Sequence, residues 1–357
     1  MGINPLGIFS KSSIGIDIGT ASIKVVELSS KQGKTLANYA SLGSEYFAKQ
    51  AFYTREKGHF AVDENNIIQA LSSIFKEAGI KTKNAYFSIP DYVSFFTSFD
   101  LPPMTNQEIG EAVKYEAPRR IPLPLSEVTL DWQVIKGGPG NKGNTPLRVL
   151  LVTVPNEAIN QYQRIASALK IKAVALEAEA FALVRALVNY QDRGTVVCLI
   201  DIGERSTTIN IVSQGILKTS YSVDVSAETF TKTLSDSLGV DESKAKVIKQ
   251  AYGISDKSSG IEEILQPVAD LILQDTKRIF NELYVEDKER VTKVILTGGG
   301  AALPGLVEYF FKSLDLPIEI ANPFLNIVSP PSIQDRLRQI GPEFTIATGM
   351  ALRGLNQ

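Results

Sequence analysis

The 357-residue chain contains one cysteine, one histidine and one tryptophan, and the first two scarcities each remove a class of chemistry. A single thiol, Cys198, cannot build an internal disulfide framework and fits a reducing compartment. Flanked by Val196, Val197, Leu199 and Ile200, it reads as an inert, buried strand residue. A single imidazole, His59, rules out a multi-histidine metal centre and reads as a surface residue. No apolar run approaches the roughly 18 residues that a membrane-crossing helix needs. The opening stretch MGINPLGIFSKSSIG lacks the apolar core and cleavage site of a secretory signal. It is expected to be a frayed arm carrying Ile3, Leu6, Ile8 and Phe9. With a net charge of −2, the chain has no excess of positive charge to capture nucleic acid or an acidic membrane. There is no Gly-x-x-x-x-Gly-Lys-Ser/Thr and no Gly-x-Gly-x-x-Gly after the first strand, so neither a P-loop nor a dinucleotide fingerprint is present.

What remains is an ordinary globular composition, 44% hydrophobic and 21% charged, long enough for two or three domains of about 150 residues each. Residues 14–28 alternate as two short strands about a tight turn, and a third strand follows at 35–41. Asp63 caps a helix with apolar residues at helical spacing that Gly79 stops, and residues 85–89 form a strand closed by Pro90-Asp91. Then the texture changes. An aromatic strand (93–101) leads to the capping-box pattern Thr105-Asn106-Gln107-Glu108, a helix that Pro118 ends, and the proline-rich PRRIPLPL. Strands at 129–135 and 147–154 flank the flexible GGPGNKGNTP, and a helix (156–169) and a strand (173–176) complete an inserted α+β unit. The host fold resumes at Glu177. It comprises a helix, strands around Asp201, a helix capped by Ser226, a helical region interrupted at 253–260, a strand entering Gly298-Gly299-Gly300, and a final small-residue helix at 345–353.

The informative feature is a repeat. GIDIGTASIK (residues 15–24) and LIDIGERSTT (199–208) superpose Asp17 on Asp201, Gly19 on Gly203, Ser22 on Ser206 and Lys24 on Thr208, at a separation of 184 residues. A lone Asp-x-Gly is an ordinary hairpin turn. Two copies in matching strand context point to duplication about a pseudo-twofold axis with a cleft between the halves. A glycine hairpin lets backbone N–H groups approach phosphate oxygens with no Cβ in the way. Thr20, Ser22, Ser206 and Thr207 or Thr208 add hydroxyl donors, and Lys24 adds positive charge. Two carboxylates facing a polyphosphate make sense only with Mg²⁺ between them, held mostly through water because magnesium dehydrates reluctantly. Asp17 and Asp201 are therefore assigned to the metal and its waters, one of them orienting an attacking water. A third cluster, LTGGGAALPG (296–305), runs a strand into Gly298, Gly299 and Gly300, bare backbone on which a base and ribose can rest.

In this order the three motifs resemble the actin-like ATPase superfamily, with GIDIGTASIK as phosphate 1, LIDIGERSTT as phosphate 2 and LTGGGAALPG as the adenosine motif. The resemblance spans nearly the whole chain. It implies an α/β fold of two ribonuclease-H-like subdomains around an ATP–Mg²⁺ cleft, with an inserted 1C-type α+β subdomain. It places 1A at 1–90, 177–194 and 325–357, 1C at 91–176, 2A at 195–240 and 285–324, and 2B at 241–284. Within the superfamily, LPPMTNQEIGEAVKYEAPRRIPLPLSEVTLDWQVI is similar to the PilM pattern. The chain given stops at Gln357, where FtsA-type relatives carry a further linker and amphipathic helix. Resemblance to the PilM family implies a scaffold of type IV pilus or type II secretion-like assembly. Such a scaffold is cytoplasmic, peripheral to the inner membrane, and docks the N-terminal tail of the membrane protein PilN between 1A and 1C. Tyr86, Phe87, Phe95, Phe96 and Phe99 are expected at that groove. The resemblance extends the partner list to pilus ATPases and other inner-membrane platform proteins, and leaves homo-oligomerisation open.

The pattern is not followed throughout. Many relatives carry Ala-Glu-x-x-Lys, with Glu and Lys meeting the ribose and adenine. Here the run is Ala245-Lys246-Val247-Ile248-Lys249, so Lys249 is kept and the acid is lost. Glu204 adds negative charge beside the phosphates, and a frequent Gly-Gly is Ser226-Ala227. These departures imply weak or no hydrolysis. Two alternatives stay open: a small-molecule kinase of the same superfamily, with Glu177 or Glu179 as base, and a filament-forming cytoskeletal ATPase.

Overall fold

A computed structural model describes residues 11–30, 33–43, 53–56, 59–137, 146–189, 192, 194–255 and 259–355. The expected N-terminal arm, most of the GGPGNKGNTP loop and the His59 side chain lie outside the described residues.

The first half is built on strands β1 (Ser12–Ile18), β2 (Ser22–Ser29) and β3 (Thr35–Gly43), an antiparallel meander. A small hairpin, β4 (Tyr53–Glu56) with β5 (His59–Val62), leads to helix α1 (Glu64–Glu77). As the sequence predicts, Asp63 caps α1 by accepting the Asn66 N–H at 3.1 Å. Strand β6 (Asn84–Ile89) pairs parallel with β1. The insertion follows as β7 (Phe95–Leu101), α2 (Asn106–Glu116), β8 (Val128–Lys136) and β9 (Leu147–Pro155). Its strands form a separate antiparallel sheet in the order β7-β9-β8, packed on α2 through Phe99, Ile109, Val113 and Val149. The Thr105 N–H donates to the Glu108 carboxylate at 2.8 Å, closing the expected capping box.

Helix α3 (Asn156–Ala168) and strand β10 (Lys172–Ala178) correct the reading of the insertion as 91–176. Strand β10 pairs parallel with β6, and Tyr162, Ile165 and Ala166 of α3 are buried with Ile14, Ile16, Ile67 and Phe87. They complete a β–α–β crossover of the first sheet, whose order is β10-β6-β1-β2-β3. Hydrophobic periodicity identifies a strand but not the sheet it joins.

After α4 (Glu179–Leu187) the second half repeats the plan. Strands β11 (Val196–Ile202), β12 (Thr207–Ser213) and β13 (Ile216–Val223) form the meander. Helices α5 (Ala227–Leu238), α6 (Glu242–Tyr252) and α7 (Ile261–Asp287) follow, then β14 (Lys293–Thr297), α8 (Leu306–Leu314) and β15 (Ile318–Ile320). The order is β13-β12-β11-β14-β15, with β14 and β15 parallel to β11, so the two sheets share one topology. Helices α6 and α7, expected as a distinct unit at 241–284, share one buried core with the second sheet and α5, and α7 runs three residues past that boundary.

Helices α9 (Gln334–Ile340) and α10 (Thr345–Leu355) return to the first half. On β1, Ile14, Ile16 and Ile18 face the α1–α3 core, while Ser13 and Gly15 face α10. A Cβ on Gly15 would lie 1.9 Å from the Ala347 carbonyl oxygen, so α10 crosses the sheet backbone to backbone. With α4, α10 forms a middle layer whose buried cluster joins Tyr86 and Ala178 of the first sheet to Val197, Leu199 and Ile295 of the second. Cys198 lies on the opposite face of β11, fully buried, where the apolar surroundings push its thiol pKa up. Among the described residues, no helix is long and apolar enough to cross a membrane.

Candidate functional site

Because side chains alternate along a strand, Asp17 shares a face with Gly15, and Asp201 shares one with Val197 and Leu199. Both faces look toward the opposite half. Each acid ends a strand and is followed by the same closure. The Gly19 N–H donates to the Ser22 carbonyl at 3.0 Å, and the Gly203 N–H donates to the Ser206 carbonyl at 2.9 Å. A Cβ on Gly203 would meet the Ser206 carbonyl oxygen at 2.9 Å, so the turn requires glycine. Between the hairpins lies a cleft of about 420 Å³. Asp17, Gly19, Thr20, Ser22, Lys24, Asp201, Gly203, Ser206, Lys249, Gly298, Gly299 and Gly300 all line it.

Thr207 does not. It is fully buried in β12, and its hydroxyl has no hydrogen-bond partner. The period of two turns Thr208 into the cleft instead, where its hydroxyl accepts from the Asn210 amide at 3.1 Å. Gly298 approaches Asp201 so closely that a Cβ would lie 2.4 Å from Oδ1, at a φ of +82° that itself favours glycine. Lys249 lines the cleft, but its ammonium donates to the Ala227 carbonyl at 2.7 Å and the Thr231 hydroxyl at 2.6 Å, tying α6 to α5. Burial lowers its pKa. Glu204 does not turn away: it lines the cleft with Lys246, and its charge acts on Lys249. Ser226 caps α5, whose first amides donate to the Gly203 and Glu204 carbonyls, both at 2.9 Å.

The electrostatics are set by burial. Burial raises the Asp17 pKa, opposed by Lys24 Nζ at 3.8 Å and by the Ser88 hydroxyl, which donates at 3.0 Å. Asp201 is pushed up to about 7, first by burial and then by the charge of Asp17, with Lys24 opposing. Two further acids stand close by: Glu179 lines the cleft, and Asp91 is buried behind it. Asp91 accepts the Ala180 N–H at 3.3 Å, and Glu179 accepts the Asp91 N–H at 3.2 Å. Burial pushes Asp91 up to about 7 and Glu179 well above the usual carboxylate range, Glu179 also feeling Asp17, Asp91 and Asp201. The sequence reading took Asp91 as a turn residue and weighed Glu179 only as a kinase base. The available signal was positional: Asp17, Asp91 and Glu179 stand at the C-terminal ends of the parallel strands β1, β6 and β10, where α/β sites collect. Glu177, the other candidate base, is instead held by Arg185 at 2.7 Å and Arg353 at 2.6 Å. Among the described residues, no three His, Cys, Asp or Glu side chains form a group that could hold a metal ion by themselves.

A second groove, of about 620 Å³, lies between the first sheet and the insertion. Its apolar walls are Leu150, Val152 and Val154 of β9, Leu176 of β10, Phe181 and Val184 of α4, and Ile216 of β13. The five expected aromatics do not line it. Strand β6 is interior to its sheet and covered on both faces, so Tyr86 and Phe87 are buried in two different cores. Phe99 is buried under α2, with the Arg120 guanidinium 4.5 Å from its ring. Phe96 packs on Phe181, ring centroids 6.4 Å apart, and Phe95 is exposed at the start of β7. Strands β8 and β9, not β7, face the groove.

The family model described as type IV pilus assembly protein PilM matches residues 15–355. The cell division protein FtsA of Neisseria meningitidis serogroup B is 25% identical over 226 residues, 57% of this chain and 53% of that protein. The match thus spans about half of that relative's length. FtsA of Enterococcus faecalis is 23% identical over 382 residues, 92% of this chain and 84% of that protein. Among solved structures, a PilM-PilN type IV pilus biogenesis complex has a TM-score of 0.83 at 24% identity, covering 96% of this chain and 98% of that one. MreB 5 of Spiroplasma citri bound to AMPPNP has a TM-score of 0.54 at 14% identity, covering 96% and 95%. The fold is therefore that of the actin-like ATPases.

Proposed function

Because the chain belongs to the type IV pilus assembly protein PilM family, we propose that it is an ATP-binding scaffold whose second groove holds the cytoplasmic N-terminal tail of a PilN-type membrane protein. The observation that carries the nucleotide reading is the convergence of two identically closed hairpins, each with an acid at its strand end, on one cleft. The Gly19–Ser22 and Gly203–Ser206 turns cradle phosphates, Lys24 meets their charge, and Gly298 to Gly300 form the wall for the nucleoside. A hydrated Mg²⁺ fits the donor set. Asp17, Asp91, Glu179 and Asp201 crowd together with Lys24 as their neighbouring cation; burial disfavours their charged forms, a cost that a divalent ion would offset. Asp17 and Asp201 would hold its waters, and the ion would lower the negative charge that the phosphates meet. Glu179 is the acid placed to take a proton from water. Lys246 and Glu204 stand in this cleft where many relatives carry an acid that meets the ribose and a small residue beside the phosphates, so turnover is slow or absent.

The peptide reading is supported by the apolar groove beside the β10 edge, the geometry by which extended segments add to a sheet and fill side-chain pockets. A PilN tail seated there would hold the protein at the cytoplasmic face of the inner membrane. Calorimetry with Mg-ATP tests the cleft: the Asp17→Ala, Asp201→Ala double variant should lose binding, and unchanged affinity removes the assignment. Capture by an immobilised synthetic PilN N-terminal tail tests the groove. Val152→Asp should abolish it, and retention would move the docking site elsewhere.

A further inference from the structure

The C-terminal end of α7 is electrostatically frustrated. Its last turn carries Glu286 and Asp287 and no basic residue, although a helix C-terminus favours cations. Lys288, the residue that caps the helix, donates to the Val285 carbonyl at 3.1 Å, but the ion-pair partners of Glu286 and Asp287 come from the insertion, more than a hundred residues earlier. Lys136 Nζ on β8 lies 2.6 Å from Asp287 Oδ1. Arg148 on β9 reaches Glu286 at 2.9 Å and Asp287 at 3.7 Å while held at 3.0 Å by Asp100 of its own sheet. Beside them, Lys218 of β13 donates to the Ile135 carbonyl of β8. Asp287 and Arg148 are largely buried in this contact, so the cluster is more than a rim of solvated pairs.

The groove lies where this contact matters. Its walls come from the first sheet and α4, from β8 and β9 of the insertion, and from Gly215 to Leu217 of the second half. The insertion is joined covalently to the first half through the β6–β7 and β9–α3 connections, and it meets the second half through the ion pairs with α7, the Lys218 hydrogen bond and the packing of Ile135, Leu150 and Val152 in one core with Val212 and Leu217.

We propose that Lys136 and Arg148, gripping the acidic end of α7, form an ionic latch that makes the insertion follow the second half, so that closure of the cleft reshapes the groove. This inference rests on the nucleotide-and-tail reading above. It identifies the differential contact through which binding at one site changes affinity at the other.

The test uses the full chain. Glu286→Lys with Asp287→Lys breaks the latch and suits the helix dipole, so α7 is retained. Asp287→Lys with Lys136→Glu restores one pair with reversed charges. Spin labels on cysteines introduced at Glu111 and Lys312, exposed on α2 and α8, report the distance between the insertion and the second half. The wild type and the swapped pair should give one narrow distribution, and the broken latch a broad one. In calorimetry, Mg-ATP should change the affinity for the synthetic PilN tail at least about 5-fold in the wild type, within the usual range of coupling between sites. That factor should fall to near unity in the broken latch and return in the swapped pair. A broken latch that keeps the wild-type distance distribution or the wild-type coupling factor overturns the proposal, as does a wild type that binds both ligands without coupling. If the wild type binds neither ligand, the nucleotide-and-tail reading fails, and the distance comparison alone then supports or overturns the ionic docking.

Discussion

The two halves share a strand order, a hairpin closure and an acid at the same register position, yet they use the acid differently. Asp17 has a cation opposite it, because its cross-strand partner is Lys24. Asp201 has Thr208 in the equivalent place and rests against Gly298, and its pKa climbs to about 7. In the proposed nucleotide site one copy would supply charge to the phosphate end, and the other hydroxyls and a glycine wall on which a flat group can lie. A second contrast lies two residues upstream, where Gly15 in the first half aligns with Leu199 in the second. The glycine admits α10 at contact distance, and the leucine fills the middle layer from the other side. Duplication supplied two equal frames, and single positions divided the work between them.

Substitutions that make one half imitate the other test this division. The largest effect is expected from Gly15→Leu. Its Cβ would overlap the Ala347 carbonyl oxygen, and overpacking against backbone rather than flexible side chains places it beyond about 4 kcal/mol. A melting temperature close to wild type would mean that α10 is not held as described. Next, Asp17→Asn and Asp201→Asn should each weaken Mg-ATP binding about 10- to 100-fold, the scale of a lost charge-assisted contact. Their effects on the free protein should differ in size: Asp201→Asn, at a site with no cation directly opposite, should raise the melting temperature at pH 7.5 by more than Asp17→Asn, which strands Lys24. Equal shifts in calorimetric scans would erase the distinction.

A pH series sharpens the same point. A carboxyl whose folded-state pKa is raised binds its proton more tightly when folded, so its ionisation destabilises the fold. The Asp201 and Asp91 contributions are fully favourable below about 4, the ordinary carboxylate pKa, and are lost as pH rises through about 7. Nucleotide-free stability should therefore fall between pH 5 and 7.5, and by less in Asp201→Asn or with added Mg²⁺. A variant curve parallel to wild type would contradict the assignment. The smallest effects separate neighbours on β12. Thr207→Val should change stability by less than about 1 kcal/mol and leave binding untouched, because the hydroxyl it removes is already unpaired. Thr208→Val should weaken Mg-ATP binding a few-fold. The reverse result would mean that the strand register is misplaced.

Much of this arrangement was legible in the sequence because the repeat carries its own register. Aligning Asp17 with Asp201 fixes the hairpin, the cross-strand partners and the glycine closure together. The third motif followed because three glycines after a buried strand have few other uses. What stayed hidden depends on spatial neighbours. Strand β10 looked like part of the insertion because parallel pairing with β6 leaves no mark in local periodicity. Asp91 looked like a turn residue because its partner, Glu179, is 88 residues away. The aromatics of β6 and β7 looked like a groove because an apolar side chain reads the same whether a sheet covers it or a peptide does. Between Thr207 and Thr208 the sequence leaves the choice open, because one residue reverses the face on a strand, and it is Thr208 that lines the cleft.

The crossing of α10 over β1 also bears on synthesis. The Ser13 hydroxyl bonds to the Ala351 carbonyl across 338 residues, so the first sheet cannot cover its inner face until that late helix has left the ribosome. During translation the second half, whose own core is contiguous from β11 to β15, has all its parts first. The protein is thus expected to mature from its middle outward, and a chain truncated after residue 344 should display a protease-resistant second half beside a first half that is still cleavable.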